Sequence, residues 1–340
     1  MEKFIITQDD PMTYRENIIK MWTEYLSDTP RGRLDWLNIG NPAGKAIWLF
    51  AFEEKSNDIA GFISIMPRKL EYNGKSIKAG ILGDFVVPNK YRVFGPGIKL
   101  PKIALQKSIE QGFDFLYTIP NEESIKVMKR AGLTDIGHVY YLTKPLSTYR
   151  YLAKKIPAHM ARLLASLADI VLRVLSRETY SMAEGIFEDT NVFDTSFDIL
   201  WEKVRRQHQG LHGDHSTEYL NWRYLQNPLY DFHILTYRER VNRELLGFIV
   251  YTIKNGAIEI HDIVSLEEKF LSSLFKQTVH IAREQKLHSI FLSIFEKHIW
   301  FEKLKSMLFF DTRYEMKLLV SNNFKFANKQ WSFFSGDRNI

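Results

Sequence analysis

Residues 83–97 read GDFVVPNKYRVFGPG, and the fold turns on what this stretch is. A short apolar run ends at Pro88, Arg92 follows, and Gly95 and Gly97 flank Pro96 ahead of a helical pattern from about residue 100. A strand-to-helix turn of this kind presents backbone N–H groups, reinforced by the positive end of the helix, and so suits an anion. Glycines at 95 and 97 lack Cβ atoms and let a bulky pyrophosphate approach the main chain, while Arg92 can add a charge-assisted contact. The competing reading is a plain glycine-rich turn. The spacing alone leaves both open.

Outward from this stretch the chain repeats itself weakly. GFISI at 61–65 and GFIVY at 247–251 are each followed by an Asn-Gly pair, Asn73-Gly74 and Asn255-Gly256. Asn-Gly is the strongest two-residue hairpin signal, because both central positions of a type I′ turn need positive φ. Each turn leads into a β-rich run ending in an aspartate, so Asp84 and Asp262 take matching positions. The patterns predict strands over 4–6, 47–52, 59–72, 75–87 and 113–118, and helices over 14–27, 100–111 and 122–130, with Gly132 as a helix stop. In the second half they predict strands over 232–237, 245–253, 257–264 and 288–295 and a helix over 267–284. The expected class is a mixed α/β (α+β) sheet protein.

Composition narrows the chemistry. At 340 residues the chain is large for one core and suits two domains, and 45% hydrophobic content argues for packed structure. The absence of cysteine excludes disulfides, zinc ribbons and thiol catalysis. The start, MEKFIITQDDPMTYREN, lacks the pattern of a secretory signal, and no window is apolar enough to span a bilayer, so a cytoplasmic location is expected. A net charge of +6 fits nucleic acid, an anionic membrane or a phosphorylated cofactor equally well. Between the halves, residues 147–180 are apolar at helical spacing and rich in Lys and Arg. They read either as a packed helical linker or as a peripheral membrane helix over 150–177.

The combination of VVPNKYRVFGPGIKL with PNEESIKVMKRAGL resembles the acetyl-CoA signature of the GNAT N-acetyltransferase superfamily. Val86, Pro88, Arg92, Gly95 and Gly97 match its V-x-P…Q/R-x-x-G-x-G/A form, and Asn121, Ser124, Gly132 and Leu133 match its next landmark. The resemblance covers about residues 1–146. It implies two GNAT-like domains in tandem: 1–146 with an acyl-CoA site, a basic helical linker over 147–185, and 186–340 without a phosphate loop.

The resemblance further implies that the pantetheine arm pairs with the strand at Asp84, Phe85 and Val86 where a bulge opens the sheet. Pyrophosphate contacts then come from Arg92 and the backbone of Val93, Phe94, Gly95, Gly97 and Ile98, with Asn121 and Ser124 completing the cofactor site. Asp84 and Asn121 become the catalytic candidates. An amine attacks the thioester directly, and main-chain N–H groups polarise its carbonyl. No metal and no nucleic acid is implied; the acceptor is a small amine, with an amino sugar as the leading class. Three features depart from the pattern. Pro96 removes one cradle amide, Pro101 pushes the helix start to about Lys99, and Met128 stands where many members carry a general-acid tyrosine. Asp84 reads as a base or as the partner of a neighbouring cation, and Tyr117, Tyr140 and Tyr141 are further proton donors.

In the second half HDIVSLEEKF has Glu267 and Glu268 where a phosphate would sit, and like charge repels it. TEYLNWRYLQNP, at 217–228, resembles a segment of tandem GNAT proteins from bacterial polysaccharide clusters. Trp222, Arg223 and Tyr224 there hold a sugar or act as a structural plug. HQGLHGDHS gathers His208, His212, Asp214 and His215, a zinc-ligating set or, as the favoured reading, a polar loop near the acceptor cleft. Two alternative activities accompany the acetyltransferase reading: a wall-peptide aminoacyl transferase, and a non-catalytic GNAT-like module at a membrane surface.

Overall fold

Both Asn-Gly pairs turn as their chemistry dictates. Asn73 and Gly74 have φ of 48° and 79°, Asn255 and Gly256 of 53° and 74°, so each pair makes a tight hairpin. The protein is described by a computed structural model over residues 4–26, 32–93, 95–176, 180, 184–207 and 209–338.

The first hairpin joins β3 (Ile59–Tyr72) to β4 (Lys75–Val86). Ahead of it lie β1 (Phe4–Gln8), α1 (Arg15–Tyr25), α2 (Gly32–Asn38) and β2 (Ile47–Glu53). After it come α3 (Lys99–Glu110), β5 (Phe115–Thr118), α4 (Glu122–Ala131) and β6 (Leu133–Pro145). Gly132 ends α4 with φ 118°, a left-handed cap, as the sequence predicts. The short α5 (Tyr149–Leu152) and long α6 (Ala158–Leu175) follow. The second half contains β7 (Ile186–Thr190), α7 (Thr195–Gln207), β8 (Leu211–Gly213), α8 (Thr217–Leu220) and β9 (His233–Arg238). Its hairpin joins β10 (Leu245–Lys254) to β11 (Ala257–Ser265). Then come α9 (Glu268–Glu284), β12 (Ser289–Phe295), α10 (Phe301–Ser306), β13 (Phe310–Ser321) and β14 (Trp331–Ser332).

The expected mixed α/β class is the observed one. One sheet runs in the order β1-β2-β3-β4-β5-β13-β6-β12-β11-β10-β9-β7. Its centre is an exchange: β13 of the second half lies antiparallel between β5 and β6, and β6 of the first half pairs with β12. Each half thus completes the other's sheet, which runs unbroken across both although the chain leaves β6 at Pro145 for α5 and α6.

Aromatic packing seals the halves together. Trp36 and Trp222 stack with ring centroids 5.0 Å apart, and each indole N–H donates to the other's carbonyl, at 2.8 and 3.3 Å. A π-turn at Asn221–Leu225 turns Trp222, Arg223 and Tyr224 inward, all buried. Arg223 donates to the Arg338 carbonyl at 2.7 Å and lies 5.6 Å from the Trp36 ring. Of the two readings of TEYLNWRYLQNP, this geometry is that of a plug. HQGLHGDHS departs from its expectation as a polar loop: residues 211–213 form the strand β8, paired with β3 and β14, and Asp214 and His215 beyond it are buried as well. His208 lies outside the described residues.

Candidate functional site

Strands β4 and β5 pair in parallel only over Ala79–Ile81 and Phe115–Tyr117. Beyond that point β4 bulges. Gly83 faces Ser64 and Val86 faces Phe62, so Asp84 and Phe85 together oppose Ile63, and Asp84 adopts φ 50°. A bulge bends its strand and raises the local twist, which turns β4 away from β5. Two cavities occupy the resulting gap and share Leu26, Phe85, Asn121 and Ser124. One is a groove of about 340 Å³ along Val86, Val87, Arg92 and Gly97. The other is a chamber of about 550 Å³ walled by Arg33, Asp84, Tyr117 and Met128 from the first half and by Tyr230, Lys254, Phe333 and Arg338 from the second.

The groove carries the glycine loop. As the prolines require, α3 begins at Lys99, with Leu100 N–H donating to the Pro96 carbonyl at 2.9 Å. Pro101 then sits in the first turn, where a missing N–H costs nothing. The two glycines differ in kind. A Cβ on Gly95 would lie 1.7 Å from the Tyr91 carbonyl oxygen, so the chain itself demands glycine there. A Cβ on Gly97 would meet nothing within 4 Å, and Gly97 lines the groove, so its bare face is open to a ligand. Arg92 also lines the groove, where its Nε donates to the Val87 carbonyl at 3.2 Å and its guanidinium pairs with Glu123 at 3.1 Å. Val93 is exposed and Ile98 partly so, while Phe94 lies outside the described residues. Asn121 caps α4, its side-chain oxygen accepting from the Ser124 N–H at 2.9 Å. The α3 and α4 N-termini therefore both border the groove.

At the chamber the decisive contact is one the sequence reading did not find. Arg33 pairs with Asp84 at 2.6 Å, both side chains buried, and Ser64 Oγ donates to the other Asp84 oxygen at 2.7 Å. The guanidinium also lies 4.6 Å from the Trp22 ring. Both Asp84 oxygens are thus engaged by protein, and taking a proton would break a buried ion pair. Arg33 gave no signal because its stretch, GRLDWLN, reads as an ordinary amphipathic turn.

The tyrosines are similarly occupied. Tyr117 donates its hydroxyl to the Asp337 carbonyl at 2.9 Å, and burial pushes its pKa well up. Tyr141 accepts from Arg338 at 3.3 Å, and burial raises the pKa of Tyr140, which packs on Phe301. Met128 is buried on the chamber wall. Tyr230, its pKa raised by burial and then by the charge of Glu259, faces the chamber from the second half.

The counterpart gap in the second half is filled. β11 and β12 pair over Ala257–Ile260 and Ser289–Leu292 and then part. The chain's own tail enters: Phe295 N–H donates to the Phe333 carbonyl at 3.2 Å, Ile294 bridges to Phe334, and Gly336 abuts Tyr224 so closely that a Cβ would lie 2.2 Å from its hydroxyl. Asp262 bonds His215 at 3.1 Å and the Tyr224 hydroxyl at 2.8 Å. Burial alone would lower the His215 pKa, but the Asp262 carboxylate outweighs it and holds it above 6.5. Burial alone would raise Asp262, and His215 with Tyr224 brings it below 3.8. Where the first half has its loop, Glu267 and Glu268 pair with Lys269 and Lys303. Among the described residues no three potential metal ligands gather, and His215 is held by Gly213 and Asp262.

No protein-family model matches the chain, and no curated protein sequence does. Solved structures do resemble it. A GCN5-related N-acetyltransferase from Anabaena variabilis superposes with a TM-score of 0.66 at 13% identity, over 96% of this chain and 73% of that one. A protein of unknown function from Enterococcus faecalis, described as a probable N-acyltransferase, gives 0.66 at 11% identity over 94% and 72%. Saccharomyces cerevisiae N-myristoyltransferase with bound myristoyl-CoA gives 0.59 at 11% identity over 95% and 79%. At such identities the likeness is one of fold, and the chain shares the fold of the GCN5-related N-acetyltransferases.

Proposed function

We propose that the protein is an acyl-CoA-dependent N-acyltransferase that passes an acetyl group from acetyl-CoA to an amine on a small acceptor, with an amino sugar as the leading class. The observation that carries this reading is the gap between β4 and β5, opened by the bulge at Asp84 and leading from a glycine-loop groove into a larger chamber. In this reading the CoA pyrophosphate lies against the bare face of Gly97 at the start of α3, with Arg92 as its cation. The pantetheine arm runs along β4 beyond Ile81, where β5 no longer pairs with it, and the thioester reaches the chamber.

The acceptor amine, as free base, attacks the thioester carbon. A C–N bond forms, the C–S bond breaks, and the proton lost from nitrogen accompanies the leaving thiolate. Main-chain N–H groups of the bulged strand stabilise the developing oxyanion. Asp84 and Asn121 act as positioning residues: Asp84 fixes Arg33 on the chamber wall, and Asn121 fixes the start of α4.

Calorimetric titration with acetyl-CoA tests the reading. Binding by the parent and loss of at least ~10-fold in affinity in Gly97→Glu, with melting unchanged, is the expected result. Absence of binding to acetyl-CoA and to longer acyl-CoAs overturns the whole proposal; binding of longer acyl-CoAs only overturns the acetyl assignment.

A further inference from the structure

The helix α6 is inside out. Its protein-facing side is small, with Ala161 and Ala165 the buried residues, while Thr148 reaches across to the Ala165 carbonyl and the Asp169 carboxylate. Its large apolar residues face away: Leu163, Leu167, Ile170, Val171, Val174 and Leu175 are 54–67% exposed. Their spacing places them on one stripe, the arrangement that elsewhere faces a core. A contiguous apolar surface of this kind on a folded chain marks an interaction site. Nothing among the described residues covers it.

We propose that this stripe docks α5 and α6 onto the surface of a bilayer containing anionic lipid. Charge selects that occupant. From 147 to 176 the chain holds Arg150, Lys154, Lys155, Arg162 and Arg173 against the single carboxylate of Asp169, which is turned inward onto the Thr148 N–H. A second copy of the helix would set these cations against their own kind, whereas phosphate headgroups complement them. No helix among the described residues is long and apolar enough to cross a membrane, so α6 lies in the interface. Arg150 of α5 donates to His288 Nε2, and the His288 backbone N–H donates at 2.9 Å to the Gly256 carbonyl in the hairpin that carries Lys254 of the chamber. The docked face is therefore linked through one hairpin to the chamber wall. This proposal stands apart from the acyltransferase reading.

Vesicle sedimentation of the full chain tests it. The expected result is binding to phosphatidylcholine vesicles carrying about 30% phosphatidylglycerol, weakened at least ~10-fold on pure phosphatidylcholine or in about 0.5 M salt. Leu163→Gln/Leu167→Gln/Ile170→Gln, on an exposed face, should lose at least ~10-fold in partitioning with unchanged melting. No binding by the parent overturns the proposal. So does undiminished binding by the folded variant, or a parent that self-associates through this face and ignores vesicles. A second reading survives a misfolded variant: Leu167→Cys, in a chain without cysteine, carries one environment-sensitive dye. A blue shift on anionic vesicles supports docking, and no shift overturns it.

Discussion

The gaps β4/β5 and β11/β12 begin alike and end differently. In each, two parallel strands pair for three or four residues and then part beside a bulge, at Asp84–Phe85 in one and at His261 in the other. In each, an aspartate near the bulge is buried in an ion pair, with Arg33 or with His215. Thereafter the first gap leads into a chamber of about 550 Å³, and the second is occupied by residues 333–337. The bulge and its aspartate are thus features of the scaffold. Among the described residues, what distinguishes the first half is an unfilled gap and a loop whose Gly97 faces open space.

The largest expected effect tests the shared part. Asp84→Ala leaves the Arg33 guanidinium buried without its carboxylate, which should cost about 4 kcal/mol in urea unfolding. Replacing both partners, Arg33→Leu with Asp84→Leu, should restore most of that loss. A cost below about 1 kcal/mol for the single change would show that the pair is not structural and return Asp84 to the catalytic candidates.

The next effect tests the plug. Phe334 is buried, with its ring 4.4 Å from that of His298. Phe334→Ala should cost about 3 kcal/mol and leave acetyl-CoA affinity unchanged, since Glu267 and Glu268 still guard that gap. Emergence of a second acyl-CoA site would mean that the tail alone distinguishes the halves.

Smaller again is a pH effect confined to the second half. The folded His215 pKa lies above 6.5, so the pair with Asp262 contributes fully below 6.5 and is lost as pH rises through the folded value. Asp262, depressed below 3.8, contributes above 3.8 and is lost as pH falls through its own folded value. Melting measured upward from pH 6.5 should decline with a slope that His215→Gln abolishes. The first half's pair has an arginine in the histidine's place, and Asp84→Asn should leave the slope unaltered.

These contrasts show which parts of the molecule its sequence expresses. The hairpins were legible because Asn73-Gly74 and Asn255-Gly256 encode their own backbone geometry, and the late start of α3 was legible from Pro96 and Pro101. Gly95 and Gly97 look equivalent in the sequence, yet one glycine serves the Tyr91 carbonyl and the other an open groove. That difference depends on where the loop folds back. The exchange of β6 and β13, the tail in the second gap and the meeting of Arg33 with Asp84 join residues 38 to 203 positions apart. No local pattern records such pairings, because periodicity reports only which face of an element is buried.

The smallest expected effect returns to the loop. Arg92 reaches the groove from the glycine side, but its guanidinium is paired with Glu123, in the first turn of α4. Both side chains are well exposed, so the pair contributes at most about 1 kcal/mol and solvent screens it. A pyrophosphate entering the groove would compete with Glu123 for Arg92 and would also meet the repulsion of that carboxylate. Glu123→Gln should therefore lower stability only slightly while tightening acetyl-CoA binding a few-fold, and the gain should shrink as salt is raised. The equivalent change in the second half, Glu268→Gln, removes the partner of Lys303 and leaves the tail in place, so it should create no acyl-CoA affinity. If Glu123→Gln instead weakens binding, Glu123 holds Arg92 in the orientation the phosphate needs, and the pair belongs to the site as a unit.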